Sequence, residues 1–270
     1  MSQELKQRVV TGFLIACVFV LASCIGGVLF CLLVLAMGLC IYYEWSNITN
    51  SFAISFGEKI LGSLVFCFVS YMTIVGFLKE AVILLVLYAA VDLFFSIVKK
   101  RSLWNFLGIL YSGLPAIAMV SLRGDGVKGF MAIIFVLSVV WSTDVFAYFI
   151  GRCVGGPKIA PRISPGKTWS GSIGGFFCSI IVGVSILSYF LSGGLQSAIV
   201  LSTIISISCQ LGDLFESFVK RCFCVKQSGW FLPGHGGIMD RVDGLVFACL
   251  IISIFNIQGI EIFSLDRLLI

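Results

Sequence analysis

Residues 9–43 read VVTGFLIACVFVLASCIGGVLFCLLVLAMGLCIYY, without one Asp, Glu, Lys, Arg or His. A membrane helix needs roughly 20 apolar residues to cross about 30 Å of hydrocarbon. The run is therefore either two short spans divided at Gly26-Gly27 or one long tilted helix. The remainder of the chain has the same character. Of 270 residues, 59% are hydrophobic and 11% charged, with a mean hydropathy of +1.11. A soluble surface needs roughly a quarter charged residues, so a water-soluble globule is excluded. No long polar, heptad or Gly-X-Y stretch supports disorder, a coiled coil or collagen. The chain reads as an all-α, polytopic integral membrane protein.

Cutting at the charged and Gly/Pro-rich breaks predicts about nine transmembrane helices, near 9–25, 27–43, 60–78, 81–98, 104–122, 129–150, 171–191, 196–215 and 244–263. Lys and Arg accumulate in cytoplasmic loops, and they orient these spans. With the N-terminus cytoplasmic, the outer segments keep only Lys79, Arg123, Lys128 and Arg267, and 14 of the 18 basic residues fall inside. Lys6, Arg8 and Leu21-Ala22-Ser23-Cys24 imitate a lipoprotein signal, but the sequence stays apolar to residue 43 where a mature lipoprotein turns polar. No internal repeat is visible. The expectation is one membrane domain over 1–270, with helices of 1–128 as scaffold and 129–270 carrying the catalytic site.

The net charge of +5 sits in short segments between apolar runs, which argues for positive-inside loops and against a nucleic-acid partner. Most of the 11 Cys lie inside apolar runs, where Cys behaves as a small hydrophobe. Cys222 and Cys224 share the chain with one His, too little for a zinc site.

Polar residues concentrate in two inner loops, 151–170 and 216–243, and in the helices that feed them. Asp144, Tyr148 and Arg152 share one helical face; Gln210, Asp213, Ser217 and Lys220 form a second stripe. An acid at hydrocarbon depth costs several kcal/mol unless it is paired or lines a polar cavity. The structural alternative is that Asp144 pairs with Arg152, and Asp213 with Lys220, to fasten helices together. Asp92 reads as structural.

The second loop contains Gly234-His235-Gly236-Gly237-Ile238-Met239-Asp240-Arg241-Val242-Asp243. Asp240 and Asp243 share a face of a helical turn, where hard carboxylate oxygens suit one divalent cation. Gly234, Gly236 and Gly237 let backbone N–H groups approach an anion. Lys220, Arg221, Lys226 and Arg241 surround them with positive charge. Acids alone would repel phosphate, and bases alone would not need the acids. The combination makes sense if magnesium joins carboxylates to phosphate oxygens. In the first loop, Ser164-Pro165-Gly166-Lys167-Thr168 imitates a Walker A motif, but Pro161 stands where that motif needs Gly. Lys167 and Thr168 remain candidate phosphate contacts.

From Ser217 to Asp243 the chain resembles the signature of the phosphatidate cytidylyltransferases, the CDP-diacylglycerol synthases: Ser-x-x-Lys-Arg, Lys-Asp, then His-Gly-Gly-x-x-Asp-Arg-x-Asp. Asp144 to Arg152, Ser164-Pro165 with Lys167-Thr168, and Gly212-Asp213 also look like family motifs. Lys226-Gln227 and Ser170 depart from it, each replacing an acid. The resemblance implies condensation of CTP with phosphatidate to give CDP-diacylglycerol and pyrophosphate, with magnesium and room for an additional monovalent or divalent cation. It implies metal ligation by Asp213, Asp240 and Asp243. Lys220, Arg221 and Arg241 would bind phosphates, assisted by Lys167 and Lys226. Ser217, Thr168, Gly236 and Gly237 fall among the substrate contacts. Asp144 would serve a second cation or orient a base, and His235 would donate to a phosphate or brace its loop. The location implied is the cell (inner) membrane, with the site facing the cytoplasm; a homodimer is left open. The rivals are another CTP-using membrane enzyme, such as a polyprenol kinase, and an ion-coupled transporter. The absence of an inverted repeat counts against the transporter.

Overall fold

The computed structural model describes residues 3–49, 56–100, 102–190, 195–231 and 236–257. Among them are nine α-helices and one β-hairpin: α1 (Gln3–Ile25), α2 (Gly27–Ile48), α3 (Phe56–Val75), α4 (Leu78–Val98), α5 (Trp104–Arg123), α6 (Gly126–Val154), β1 (Lys158–Ala160), β2 (Ser164–Thr168), α7 (Trp169–Phe190), α8 (Leu195–Cys222) and α9 (Met239–Ile257). Six of these helices, α2 and α4 to α8, are long and apolar enough to cross a membrane, so the chain is a multi-pass membrane protein. Among the residues whose side chains are described, α1 and α3 contribute the shorter apolar helices Gly12–Ile25 and Ile60–Val75, and the expected span near 244–263 lies partly outside the described residues.

Large apolar side chains face outward, as lipid requires. In α4, Ile83, Leu87 and Phe94 are exposed, whereas Ala81, Leu85 and Ala89 are buried. Hydrocarbon offers no hydrophobic drive to hide large side chains, so small residues take the interfaces where close packing holds helices together.

The chain forms two compact units: Met1–Gly124 with Phe223–Arg241, and Asp125–Cys222 with Val242–Ile270. The first contains α1 to α5. Its helix break at Gly26, with φ 70° and ψ −151°, settles the division of the opening apolar run in favour of two helices. Arg123 at the end of α5 is buried against that break. Its guanidinium donates to the Ser23 carbonyl at 2.7 Å and the Cys24 carbonyl at 3.5 Å, carbonyls that the end of α1 leaves without a helical partner, and to the Gly124 carbonyl at 3.0 Å. A Cβ at position 26 would run into the guanidinium. Further along α2, the fully buried Trp45 donates its indole N–H to the Trp104 carbonyl at 2.7 Å and lies against Tyr111 of α5. It fits because Gly108 has no side chain there.

The second unit holds α6, the hairpin, α7, α8 and most of α9. At 29 and 28 residues, α6 and α8 extend about 42 Å or more at 1.5 Å per residue, past the thickness of the hydrocarbon. Their last turns carry the polar stripes. The loop expected over 151–170 contains an antiparallel hairpin pairing Lys158 with Thr168 and Ala160 with Ser164, so the architecture is nearly, not wholly, helical.

The close approach of α7 to α6 depends on Gly171 and Gly175, four residues apart. A Cβ on Gly171 would stand 2.5 Å from the Ala147 carbonyl oxygen, and one on Gly175 2.6 Å from that of Thr143. Both obstacles are backbone and cannot rotate away. Gly175→Ala is expected to lower the midpoint of thermal unfolding in detergent by several degrees, consistent with an overpacking cost of about 1–3 kcal/mol. Gly166→Ala, where a Cβ meets nothing within 4 Å, should leave the midpoint unchanged.

Candidate active site

In the second unit, three carboxylates from three helices come together. Asp144 of α6, Asp213 of α8 and Asp243 of α9 act on one another electrostatically, and Lys167 of β2 acts on both Asp144 and Asp243. Lys167 is ion-paired with Asp213, and the two side chains remain 26% and 33% exposed, so the pair is open to an incoming ligand. Asp144 accepts a hydrogen bond from the Cys209 thiol, 3.5 Å away. Asp243 accepts from the Gly244 amide at 2.9 Å, and the Ser217 hydroxyl donates to Asp213 at 3.4 Å.

These contacts replace both pairings of the structural alternative. Arg152 donates to the Tyr148 hydroxyl at 2.8 Å, and Lys220 pairs at 3.2 Å with the buried Glu216, one turn earlier in α8. Glu216 is missing from the sequence-based reading of the stripe, although its spacing of four from Lys220 is the ordinary mark of a helical ion pair. Arg221 reaches the hairpin, donating to the Ile163 carbonyl at 3.2 Å.

The hairpin is tied down on both sides. Thr168 is buried, and its hydroxyl oxygen accepts from the Gly171 amide at 3.2 Å. It is the N-cap of α7, in the position where Ser and Thr replace a missing helical acceptor. Ser170 donates to the Gly155 carbonyl, so the residue that departs from the resembled motif closes the base of the loop. Lys167, the residue before the cap, is thereby presented to Asp213.

The remaining motif residues belong to the first unit. The Asp240 Oδ2 atom accepts from the Ser228 amide at 2.8 Å, the Ser228 hydroxyl at 3.0 Å and the Gly237 amide at 3.1 Å. The N–H of Gly237 is thus directed at a carboxylate of its own loop. Gly236 has φ 89°, a left-handed conformation that favours glycine. Lys226 and Arg241 are exposed. His235 and Gly234 lie outside the described residues.

Three carboxylates against one ammonium form a hard-oxygen set that fits a divalent cation by charge and donor chemistry. Among the described residues, no three His, Cys, Asp or Glu side chains are already gathered tightly enough to hold a metal ion.

Fold and site together define a multi-pass membrane protein with a partly open cluster of three acids and one Lys in its second unit, suited to a charged ligand. A family model described as the cytidylyltransferase family matches residues 6–257, and the chain belongs to that family of nucleotidyltransferases. It is similar to a phosphatidate cytidylyltransferase of Brucella abortus biovar 1 (strain 9-941), with 39% identity over 260 residues, covering 94% of this chain and 93% of the relative. A phosphatidate cytidylyltransferase of Staphylococcus aureus (strain COL) is 41% identical over 155 residues, 57% of this chain and 58% of its own.

Removing one partner of a buried ion pair leaves an uncompensated charge, at a cost of about 3–5 kcal/mol. Glu216→Ala is therefore expected to lower the unfolding midpoint in detergent, and Glu216→Ala/Lys220→Met to recover part of the loss. Equal midpoints for the single and double variants would show that the pair carries no such energy.

Proposed function

We propose that this chain transfers CMP from CTP to phosphatidate, giving CDP-diacylglycerol and pyrophosphate at the cytoplasmic face of the cell membrane. The observation that carries the reading is the Asp144, Asp213, Asp243 and Lys167 cluster, in a chain whose family and relatives are cytidylyltransferases. A phosphatidate oxygen attacks the α-phosphorus of CTP, the bond to the β-phosphate oxygen breaks, and pyrophosphate leaves. The nucleophile is already anionic near neutral pH, so no general base is needed, and the protein supplies orientation and charge neutralisation.

Asp213 and Asp243 hold magnesium in this reading. Asp240, three residues before Asp243 in α9, joins them through the sequence motif. Bound magnesium neutralises and orients phosphate oxygens. Lys167, already lodged on an acid, exchanges that partner for a phosphate. Lys220 and Arg221 at the end of α8, with Arg241 and Lys226, offset the remaining phosphate charge. Hydroxyl and amide groups of Ser217 and Gly236 assist, and the acyl chains stay with the apolar helix faces.

The finer topology of this reading is nine spans with the N-terminus cytoplasmic, supported by the distribution of Lys and Arg. Reporter fusions ending near residue 125 should score as external and those near residue 156 as cytoplasmic; the reverse result would reject the orientation.

Purified protein incubated with labelled CTP, phosphatidate and magnesium should form lipid-linked CMP and pyrophosphate. Release of CDP would point instead to a kinase. Chelation of divalent cations should stop turnover and added magnesium restore it. Asp243→Asn should lower kcat by about 100-fold or more, the scale of losing a group that stabilises transition-state charge, in protein that remains monodisperse.

A further inference from the structure

Glu44 stands near the end of α2, 1% exposed, outside every motif recognised in the sequence. Its carboxylate meets three donors. Oε1 accepts from the Ile238 amide at 2.8 Å; Oε2 accepts from the Met239 amide and the Ser228 hydroxyl, both at 2.9 Å. These amides belong to the start of α9, which opens at Met239. The N-cap position there is Ile238, whose side chain has no acceptor to offer the first-turn N–H groups. A carboxylate 194 residues upstream supplies the cap, with its negative charge at the favourable end of the helix dipole.

The neighbouring residues are shaped to admit it. A Cβ on Gly229 would lie 2.7 Å from Glu44 Oε1, and one on Gly237 would run into Ser228 Oγ and Glu44 Oε2. The single hydroxyl proton of Ser228 lies between Glu44 Oε2 at 2.9 Å and Asp240 Oδ2 at 3.0 Å. Glu44 is therefore bonded to α9 directly and to Asp240 through Ser228. The segment before α9 is held from the same side, since Phe223 meets Trp104 and Phe231 meets Tyr43 edge-on.

We propose that Glu44 is a positioning residue for nucleotidyl transfer: from the N-terminal helices it fixes the first turn of α9, and through Ser228 the carboxylate of Asp240. The inference rests on the cytidylyltransferase reading. It gives the N-terminal part of the chain a role in the geometry of the reaction beyond that of a scaffold. A displacement of about 1 Å among groups that orient a substrate costs on the order of 100-fold in rate, so a remote cap is enough to control turnover.

The test uses the full chain in detergent. Glu44→Gln keeps the shape but leaves one acceptor oxygen and places an NH₂ against N–H donors. Hydrogen exchange should quicken at the amides of Ile238 and Met239 while the other helices keep their protection. In the same preparation kcat should fall by roughly 10- to 100-fold, with KM for CTP changed by less than about threefold. A kcat within about twofold of wild type, or exchange unchanged at those two amides, would overturn the proposal. Should Glu44→Gln fail to fold, Ser228→Ala serves: it breaks the link between Glu44 and Asp240, and kcat should drop several-fold. An unchanged kcat in that folded variant would equally overturn it. A wild-type protein making no lipid-linked CMP would reject the transferase reading itself, a separate result.

Discussion

A carboxylate among apolar helices costs several kcal/mol unless a donor or a cation meets it, and this constraint orders the polar interior of each unit. In the second unit Asp213 is met by Lys167 and Ser217, Asp144 by Cys209, and Glu216 by Lys220. In the first, Glu44 is met by two amides and a hydroxyl. The same cost works in reverse for Arg123, whose buried guanidinium lies on the carbonyls of a broken helix. Glu44 and Arg123 therefore mark junctions between segments distant in sequence, whereas Glu216 is met within its own helix.

The chemistry follows from which of these junctions can be exchanged. The Lys167–Asp213 pair is a quarter to a third exposed, which in the proposed reading lets a phosphate take the ammonium and a cation the carboxylate. The Glu44 junction is buried and joined by three hydrogen bonds, as suits a fixed support. In the proposed reading an open pair receives substrate charge, and a closed one holds the start of α9, the helix of Asp240 and Asp243. Glycine serves both ends: Gly171 and Gly175 bring α7 against α6, and Gly229 and Gly237 leave room for the Glu44 carboxylate.

Most helices were legible because hydropathy and charge change abruptly at the membrane surface. The breaks at Gly26 and around residues 99 and 124 fall where the sequence places them, whereas the turn at 76–77 falls inside the span expected to run to 78. Helix ends were less legible. Helical hydrogen bonding continues beyond hydrocarbon, so α2 runs on to Ile48, α6 to Val154 and α8 to Cys222, past boundaries set by hydropathy. Glu44 was missed for that reason: a lone acid after Tyr42-Tyr43 reads as the first residue of a loop, whereas it is an inward-facing residue of a continuing helix. Glu216 fell within the recognised stripe, but one position aside from the chosen spacing. The hairpin was hidden because Pro165 and Gly166 are poor strand formers, and its pairing is imposed by the turn and by the cap at Thr168.

By itself the sequence determined the membrane setting, the approximate helices, and the order of acids, bases and glycines that marks a cytidylyltransferase. Each is a local or periodic property, written within a few tens of residues. The tertiary structure alone decided which charge meets which. Lys167 on Asp213 and not Lys220, the cap supplied by Glu44, and the gathering of Asp144 with Asp243 depend on helices meeting across long stretches of chain. Such meetings are selected by packing and by the cost of an unmet charge, neither of which has a period that a single sequence displays.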